Sequence, residues 1–394
     1  MLISTPYGLM PLIHLQPTAP VVERIAYLTD VMYTVTGKEN RIQTRTTPRT
    51  SYDYKYPVGP DSTAMMSNIG YGYIRNKFAI PIWVRKTTSQ SLNLSGDTEI
   101  YVKAREKDFM AGCALMLYAS QEKAEAHVIN SVSKEIDGVI IITLSTPLAH
   151  AWPAFSSVIP VQYGYVEEDI DTSGNGYSSY YTLTFEVDVD VYEDPVVPLQ
   201  LDGIDVFYNM PLMSDGNTVS RSFSSRINIV DFEIGKKFKR TTWSKNRMLF
   251  SFRQVFETLN DLRNFKSRFA RHAGRYRSFY QSTSDRNMRI VDSSSGGFNI
   301  IRIASDDYGP ALPRRLISIY KLSDKSTHYY KVINAAPSTN NTTLLLLDRP
   351  FNIDISDIFN VSYVSEFRLD TDILEIHHVG NGVSEISVPM LDLG

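Results

Sequence analysis

The stretch "KENRIQTRTTPRTSYDYKYP", from Lys38 to Pro57, returns in altered form as "GKKFKRTTWSKNRMLFSFRQ", from Gly235 to Gln254. Both versions carry a basic cluster, then Arg-Thr-Thr, then alternating aromatic and polar residues. Alternation with a period of two is typical of a β-strand that buries one face. Because the two versions stand roughly one domain length apart, we expect the chain to contain the same β-rich unit twice.

Further matches extend the repeat toward the C-terminus. "HVINSVSKEIDGVIIITLSTPL" starts at His127 and "KVINAAPSTNNTTLLLLDRPF" starts at Lys331; both place a polar turn between Val-Ile-Asn and an apolar strand. Arg-Thr-Thr recurs after 195 residues, Val-Ile-Asn after 204 and the later proline after 203. Three matches in one order at nearly constant spacing indicate an internal duplication.

The predicted fold class is mainly β (α+β), with two tandem, duplicated lobes that each carry an inserted β module. Predicted strands such as "ALMLYAS" and "LISIYKL" are separated by turn-forming clusters such as "TSGNG" and "STNN". The predicted units are a first lobe with an N-terminal arm at 1–85 and 167–205, a first module at 86–166, a second lobe at 206–288 and 370–394, and a second module at 289–369.

One clear amphipathic helix is predicted, in the second lobe, over Gln254–His272. Its apolar residues recur in steps of three and four and so share one face: Val255, Phe256, Leu259, Leu262, Phe265 and Phe269. Gly274 is expected to cap its C-terminal end, and Arg263 and Lys266 are expected on the opposite side, where substitution costs little. In the first copy, the glycines of "DSTAMMSNIGYGYIRNKF" are expected to break any long helix.

Composition limits the classes of function. The 394 residues carry a net charge of −3, so no general basic field marks a nucleic-acid-binding protein. The single cysteine, Cys113, lies in an apolar run and is expected to fill a core, which leaves no intrachain disulfide. No apolar run approaches the roughly 20 residues that span a bilayer, so stable membrane insertion is not expected. The first twenty residues are expected to form an extended arm.

Motifs for catalysis or cofactor binding are not found in the sequence. Neither G-x-S-x-G nor a Walker or Rossmann glycine loop occurs, so no catalytic residue and no cofactor is predicted. The start of a calcium loop is echoed weakly at Asp169, Asp171 and Ser173. Tyr180 occupies the twelfth position of that loop, where a bidentate Glu would be required, so a solvated turn is favoured and no metal is predicted.

Three sequence features carry a resemblance to a known family. The first is Leu-Thr-Asp-Val, then Gly-x-Glu-x-Arg, then Arg and Pro-Arg before an aromatic strand, with Arg41, Arg45 and Arg49. The second is the predicted helix followed by "HAGRYRSFYQST", with Gly274, Arg275 and Phe279. The third is "PLAHAWPAFSSVIPVQYG", from Pro147 to Gly164. These features resemble the tail-hub and distal-tail proteins of tailed bacteriophages; the second copy, with Arg240, lacks the Gly-x-Glu-x-Arg spacing.

The resemblance implies a structural virion protein of the phage tail, assembled in the host cytoplasm, and not an enzyme. Such a protein forms a ring that joins the tail tube to spike, baseplate or fibre proteins and takes part in host attachment and genome ejection. The expected partners are copies of itself, as a trimer in preference to a hexamer, and other tail proteins, with DNA only in passage. Three chains with two similar lobes each would present six positions to a six-fold tube.

Two other classes of function stay open at this level. A glycan-binding adhesin of a tail would show exposed aromatic residues beside a groove on an inserted module. An enzyme that degrades surface polysaccharide would need a pair of carboxylates in a cleft, and no pair stands out in the sequence. The basic runs "GKKFKR" and "FKSRFARHAGRYR" are expected to meet acidic neighbours or to lie over an aromatic core rather than to bind DNA.

Overall fold

The computed structural model describes the chain except for residues 168, 175–178, 189–192, 209–218, 226, 242–245, 294–298, 305–314, 339–340, 381 and 394. The described residues are mainly β, as predicted. Short 3₁₀ turns occur at Trp83–Arg85, Glu106–Asp108 and Ile355–Asp357.

The strands up to residue 205 begin with a short hairpin and continue through two long strands. They are β1 (Leu2–Thr5), β2 (Gly8–Pro11), β3 (Thr18–Tyr33), β4 (Glu39–Val58), β5 (Phe78–Pro81), β6 (Thr87–Thr88), β7 (Glu99–Val102), β8 (Ala114–Tyr118), β9 (Ala124–Val132), β10 (Ile140–Leu144), β11 (Ser157–Val166), β12 (Asp171–Gly174), β13 (Ser179–Val187), β14 (Gln200–Leu201) and β15 (Ile204–Asp205). Helix α1 (Pro60–Tyr73) lies between β4 and β5.

The remaining strands follow a similar succession. They are β16 (Val219–Ser224), β17 (Ile227–Val230), β18 (Phe238–Thr241), β19 (Arg247–Phe256), β20 (Ser278–Ser282), β21 (Ile290–Ser293), β22 (Ile300–Ala304), β23 (Leu316–Lys321), β24 (Thr327–Ser338), β25 (Thr342–Leu347), β26 (Ile358–Leu369), β27 (Ile373–Gly380) and β28 (Val383–Asp392). Helix α2 (Leu259–His272) lies between β19 and β20. The segments "ALMLYAS" and "LISIYKL" contribute strands β8 and β23, as expected.

The expectation that glycines prevent a long helix in the first half is wrong. Helix α1 has fourteen residues and includes Gly70 and Gly72. Each glycine costs about 1 kcal/mol relative to alanine in a helix interior. Burial of Met66 and Ile69 offsets that cost, and Pro60 begins the helix at a position that proline favours.

Helix α2 is present but begins later than the sequence predicted. Val255 and Phe256 belong to strand β19, and Thr258 is the N-cap, whose hydroxyl accepts a hydrogen bond from the Asp261 amide at 3.2 Å. Serine and threonine hydroxyls satisfy the unpaired amides of a first helical turn in this way. At the other end, Ala273 rather than Gly274 is the C-cap, in the left-handed region at φ 50°.

Strand pairing follows the same order in the two halves. In the first half β3 pairs with β4, β4 with β13, and β13 with both β12 and β11. In the second half β16 pairs with β19, β19 with β28, and β28 with both β27 and β26. Beyond these, β11 pairs with β5 and β8, whereas β26 pairs with β20 and β23.

The long hairpins of the two halves share one register. Glu23 lies opposite Tyr52 in the first hairpin, and Arg221 lies opposite Phe250 in the second, 198 positions later on both strands. The same shift of 198 relates the pairs nearer the tip, such as Asp30 with Ile42 and Asn228 with Arg240. The Arg-Thr-Thr spacing of 195 therefore does not follow the structural register, which places Arg240 at the position of Ile42.

Four hydrophobic clusters carry most of the core. The first joins the N-terminal segment, β4, α1, β5 and β13; the second joins β19, α2, β28 and part of β3. A third lies among strands β22 to β26, and a fourth lies among β7 to β11. The N-terminal segment is not an extended arm, because β1 and β2 form a hairpin and Leu12 is fully buried in the first cluster.

Candidate assembly interface

Strand β3 connects the two halves of the chain, because it pairs with β4 on one side and with β27 on the other. Ile25 lies opposite Leu374 and Glu23 lies opposite Ile376. The Ile25 and Tyr27 side chains belong to the hydrophobic cluster of the second half, although they are contributed by the first. The junction is therefore a continuous sheet with a shared core, which holds the two halves together through both main chain and side chains.

A buried ion pair lies at this junction. Lys266 on α2 donates to both carboxylate oxygens of Glu23, each at 2.7 Å. His378 Nε2 donates to the same carboxylate at 2.9 Å, and Ser384 lies 2.9 Å from His378 Nδ1. An ionised carboxylate only accepts hydrogen bonds, so the Nε2 proton of His378 faces Glu23.

Burial alone would raise the pKa of Glu23, but Lys266 and His378 hold it well below its ordinary value. Burial also lowers the pKa of Lys266, and Glu23 opposes that shift. The pair stays charged because each member compensates the desolvation of the other, and removal of one member leaves an uncompensated buried charge. The expectation that Lys266 faces solvent is therefore wrong.

The other helix residue expected on the solvent face, Arg263, is also engaged. It donates to both oxygens of Asp108 in the Glu106–Asp108 turn, at 2.9 and 2.7 Å, and lies 3.8 Å from Glu193. Both contacts are made by Nη2, and hydrogen bonds between charged partners of this kind are stronger than neutral ones. Helix α2 therefore binds both β3 and the segment that precedes β8.

The tip of the first hairpin is held by a second buried cluster. Glu39, at the start of β4, binds Arg247 on β19 and Arg368 on β26, the latter at 2.8 Å. Arg247 also donates to the Gly37 carbonyl, and Arg368 donates to the Tyr33 hydroxyl at 3.1 Å. Burial would raise the pKa of Glu39, but the two guanidinium groups lower it. Two arginines of the second half thus fix the hairpin tip of the first.

Two strands end the sheet on opposite sides. In the described part of the chain, β12 pairs only with β13, and β16 pairs only with β19. On β16, Phe223 exposes 74% of its surface. The tip of the second hairpin is also apolar and exposed, at Ile227, Ile229, Val230, Phe232, Ile234 and Phe238. An unpaired edge beside exposed aromatic residues is a surface for association with another chain.

The arginines predicted from the first motif lie along β4 but have different surroundings. Arg41 donates to the Arg275 carbonyl at 3.4 Å, and Arg45 donates to the Ala26 carbonyl at 3.2 Å. Arg49 exposes 61% of its side chain and lies 3.5 Å from Glu186. Arg240 is exposed on β18. The structure therefore spreads these residues along two hairpins and does not gather them into one site.

The predicted residues after α2 have structural surroundings. Gly274 has φ +67°, and a Cβ there would lie 2.5 Å from Asp372 Oδ1. The Arg275 amide donates to the same carboxylate at 2.9 Å, and the other oxygen of Asp372 accepts from the Thr29 amide at 2.9 Å. Phe279 is fully buried and stacks on Phe207 with ring centroids 4.5 Å apart. Asp372 thus ties the turn after α2 to strand β3.

The residues of the weak calcium candidate are extended rather than curled round an ion. Asp171 and Ser173 lie on β12 opposite Thr182 and Tyr180, and Asp169 precedes the strand. Asn175, the next candidate ligand in the loop, lies outside the described residues. Among the residues that the structure describes, no group of three or more His, Cys, Asp or Glu side chains suits a metal ion.

A carboxylate–histidine cluster around Glu125 holds a loop together. Glu125 binds His127 Nε2 at 2.7 Å and accepts from the Trp152 indole at 3.0 Å. It also accepts from the amides of Ala149 and His150. Burial would raise the pKa of Glu125, but these donors lower it to about 2. Because hydrogen-bond donors contact both oxygens of the carboxylate, it fixes the loop.

Sequence reasoning did not single out Glu23, Arg368 or the exposed Phe223, and Glu39 entered only as the glutamate of the Gly-x-Glu-x-Arg motif. One signal was present for Glu23, since in "VVERIAYL" it occupies the same alternating face as Val21, Ile25 and Tyr27. A charged residue on an inward-facing position of a strand indicates a buried partner. The partner itself was not visible, because Lys266 lies 243 residues away.

Comparison with known proteins adds no family to these observations: neither a protein-family model nor a curated protein matches the chain. No helix in the described part of the chain is long and apolar enough to cross a membrane.

Proposed function

We propose that this chain is a structural, non-enzymatic protein of a phage tail tip, which assembles as a ring of three copies. The tail-tip assignment comes from the sequence motifs around Arg41, Gly274 and Pro147. The ring is supported by the geometry of the sheet, since one lobe contacts the next through β3 and β27, and among the described residues β12 and β16 each have one edge without a paired strand. A contact of this head-to-tail kind, repeated between copies, closes into a ring when the rotation permits.

In this proposal the two halves are copies of one unit. Support comes from the constant shift of 198 residues along the paired hairpins and from the two fourteen-residue helices that follow them. Pairing order alone would be weaker support, because short antiparallel connections are common. Equal register over two long strands needs matching alternation on both strands, since a slip of one residue turns every side chain to the other face.

Each unit consists of a lobe and an inserted β module, with the boundaries predicted from the sequence. The proposal is supported by four separate hydrophobic clusters, of which one draws only on residues 100–158 and another only on residues 288–363. Each of these two clusters is large enough to hold its module on its own strands. The lobes would form the ring, and the modules would project from it toward neighbouring proteins of the virion tail.

Three chains with two lobes each would offer six similar positions to a six-fold tail tube and three to a spike or fibre. DNA would pass through the ring without a dedicated binding site, in keeping with the net charge of −3. The partners proposed are therefore copies of this chain, the tube and other tail-tip proteins. The observation that carries the proposal is the head-to-tail junction between lobes that share one hairpin register.

Native mass spectrometry of the purified chain over a range of concentrations tests the ring, and rotational symmetry in particle images provides an independent readout. We expect a trimer with six-fold pseudo-symmetry. A ring of six copies would remove the proposed symmetry-matching role of the two lobes. A monomer at all concentrations, or release of sugars from a surface polysaccharide, would contradict the proposed function.

A further inference from the structure

We propose that strand β16 of one copy pairs antiparallel with strand β12 of the next copy, so that the junction inside the chain is repeated between chains. The inference rests on the proposed ring and specifies which residues of neighbouring copies lie opposite each other. The opposed residues would be Val219 with Gly174, Ser220 with Ser173, Arg221 with Thr172, and Ser222 with Asp171. Phe223 would then lie opposite Ile170 and become buried.

The junction within the chain supplies the register. There Glu23 on β3 lies opposite Ile376 on β27, and the neighbouring pairs follow in antiparallel order. Strand β16 holds in the second hairpin the place that β3 holds in the first, with Arg221 at the position of Glu23. The position of β16 in the new pairing is therefore fixed by the hairpin register.

The position of β12 in the new pairing follows from the strands that pair with β12 and β27, which are β13 and β28. Tyr54 lies opposite Leu183, and Phe252, 198 positions after Tyr54, lies opposite Val388; this aligns β13 with β28. Along those strands Tyr181 then matches Ile386, whose partners on the outer side are Thr172 and Ile376. Thr172 therefore takes the place of Ile376, and Arg221 lies opposite Thr172.

Exposure of Phe223 is the second, independent observation. Ile25 holds the matching position in the first hairpin and exposes only 8%, because it packs into the hydrophobic cluster of the second half beside Leu374 of β27. Phe223 exposes 74%, because the described residues of its own chain leave that side of β16 uncovered. Burial of an exposed phenylalanine side chain contributes roughly 1.5–3 kcal/mol. An exposed phenylalanine on an edge strand therefore favours association with a surface that removes it from water.

The occupant that fits is a second copy of this chain. Strand β12 is antiparallel to β13, as β27 is to β28. Strand β12 of a second copy can therefore pair with β16 in the same way that β27 pairs with β3 inside the chain. Asp171 would lie opposite Ser222, on the other face of the sheet from Arg221, which already binds Asp285 at 2.8 Å within its own lobe. The remaining pairs are small or hydroxyl residues, which tolerate close approach between strands.

The register is tested by a disulfide between Ser173→Cys and Ser220→Cys in one chain. Opposed Cα atoms of an antiparallel pair are about 4.5–5.5 Å apart, within the range of about 4.4–6.8 Å that a disulfide spans. In the junction within the chain, Val22 and His377 hold the positions equivalent to Ser220 and Ser173. Both are partly exposed, so an added oxidant should reach the two cysteines. Non-reducing gels should show covalent dimers and closed trimers.

The matched control is Ser173→Cys with Ser224→Cys, which lies on the same face four residues further along β16 and is too distant to bridge in the proposed register. Equal cross-linking of the control, or no cross-link in a sample that native mass spectrometry shows to be trimeric, would overturn the register but leave the ring. Monomers without cross-links would overturn both.

A second variant tests the burial of Phe223 without relying on oxidation. Phe223→Ser should raise the dissociation constant of the assembly at least tenfold while the unfolding midpoint of the diluted chain stays unchanged. Phe155→Ser, at a similarly exposed phenylalanine (70%) on the first module, is the control and should not alter assembly. Unchanged assembly of the Phe223 variant would exclude this residue from the interface.

Discussion

The hairpin of β3 and β4 and the hairpin formed by β16 to β19 have the same register but different surroundings. In the first, Glu23 and Ile25 are buried against the second half, and Glu39 at the tip is bound by Arg247 and Arg368. In the second, Phe223 is exposed. The difference teaches that alternation along a strand fixes which side chains share a face, whereas burial depends on what lies beside that face.

The largest difference between the halves is expected at the eighth residue of each helix. Lys266→Met leaves the Glu23 carboxylate buried without its main partner, so we expect a loss of about 3–5 kcal/mol in the free energy of unfolding. The Ser67 hydroxyl on α1 lies 3.3 Å from the Tyr181 hydroxyl, and Ser67→Ala should cost about 1 kcal/mol or less. Urea denaturation at pH 7 measures both.

The double variant Glu23→Gln with Lys266→Met separates loss of the pair from loss of packing. We expect it to recover a substantial part of the stability, because no isolated charge then stays buried. A double variant as unstable as Lys266→Met alone would show that the ion pair is not the cause.

The seventh residue of each helix tests whether the two helices pack equivalently. Phe265 and Met66 are both almost fully buried. Phe265→Ala should cost about 3–5 kcal/mol, and Met66→Ala about 2–5 kcal/mol, through lost contacts and the cavities left behind. Asn264→Ala, on the exposed side of α2, should change the unfolding free energy by less than about 0.5 kcal/mol. A negligible effect at Met66 would mean that packing of α1 does not stabilise the first half of the chain.

A glycine near the C-terminal end of each helix is expected to respond to alanine with opposite signs in the two halves. At Gly274 a Cβ would approach the Asp372 backbone to 2.9 Å, and φ is positive, so Gly274→Ala should destabilise by about 1–3 kcal/mol. At Gly72 nothing lies within 4 Å of a Cβ, so Gly72→Ala in α1 should stabilise by about 0.5–1 kcal/mol. Thermal unfolding of the two variants compares them, and a shift of the same sign would contradict the comparison.

The last expected difference is a dependence on pH that belongs to the second half. Burial lowers the pKa of His272, the last residue of α2, to about 4. Since an unfolded histidine titrates near 6.5, the unfolded state binds the proton first as the pH falls. This component of stability is therefore lost between about pH 6.5 and pH 4, at no more than about 1.4 kcal/mol per pH unit.

His272→Leu should flatten that part of the profile of unfolding free energy against pH. The ring is fully buried beside Phe207 and Phe279, and neither of its nitrogens has a hydrogen-bond partner among the described residues. Parallel profiles for the native chain and the variant would show that His272 does not carry the dependence.

Much of the local structure was readable from the sequence. Alternation located strands such as β8, β11, β13 and β23, and steps of three and four located α2 with its buried Leu262 and Phe265. The start of α2 was misplaced because Val255 and Phe256 fit a strand and a helix equally well until pairing with β28 decides. Helix α1 was missed because packing of Met66 outweighs the intrinsic cost of two glycines.

By itself, the sequence determined the periods of alternation, the mainly β class and the suspicion of a repeat, because these depend on neighbours a few residues apart. The tertiary structure decided the shift of 198, the pairing of β3 with β27 and the burial of Glu23 by Lys266. The last two of these join residues more than two hundred positions apart. Their energies depend on which charges and apolar surfaces the whole fold removes from water, which no local pattern records.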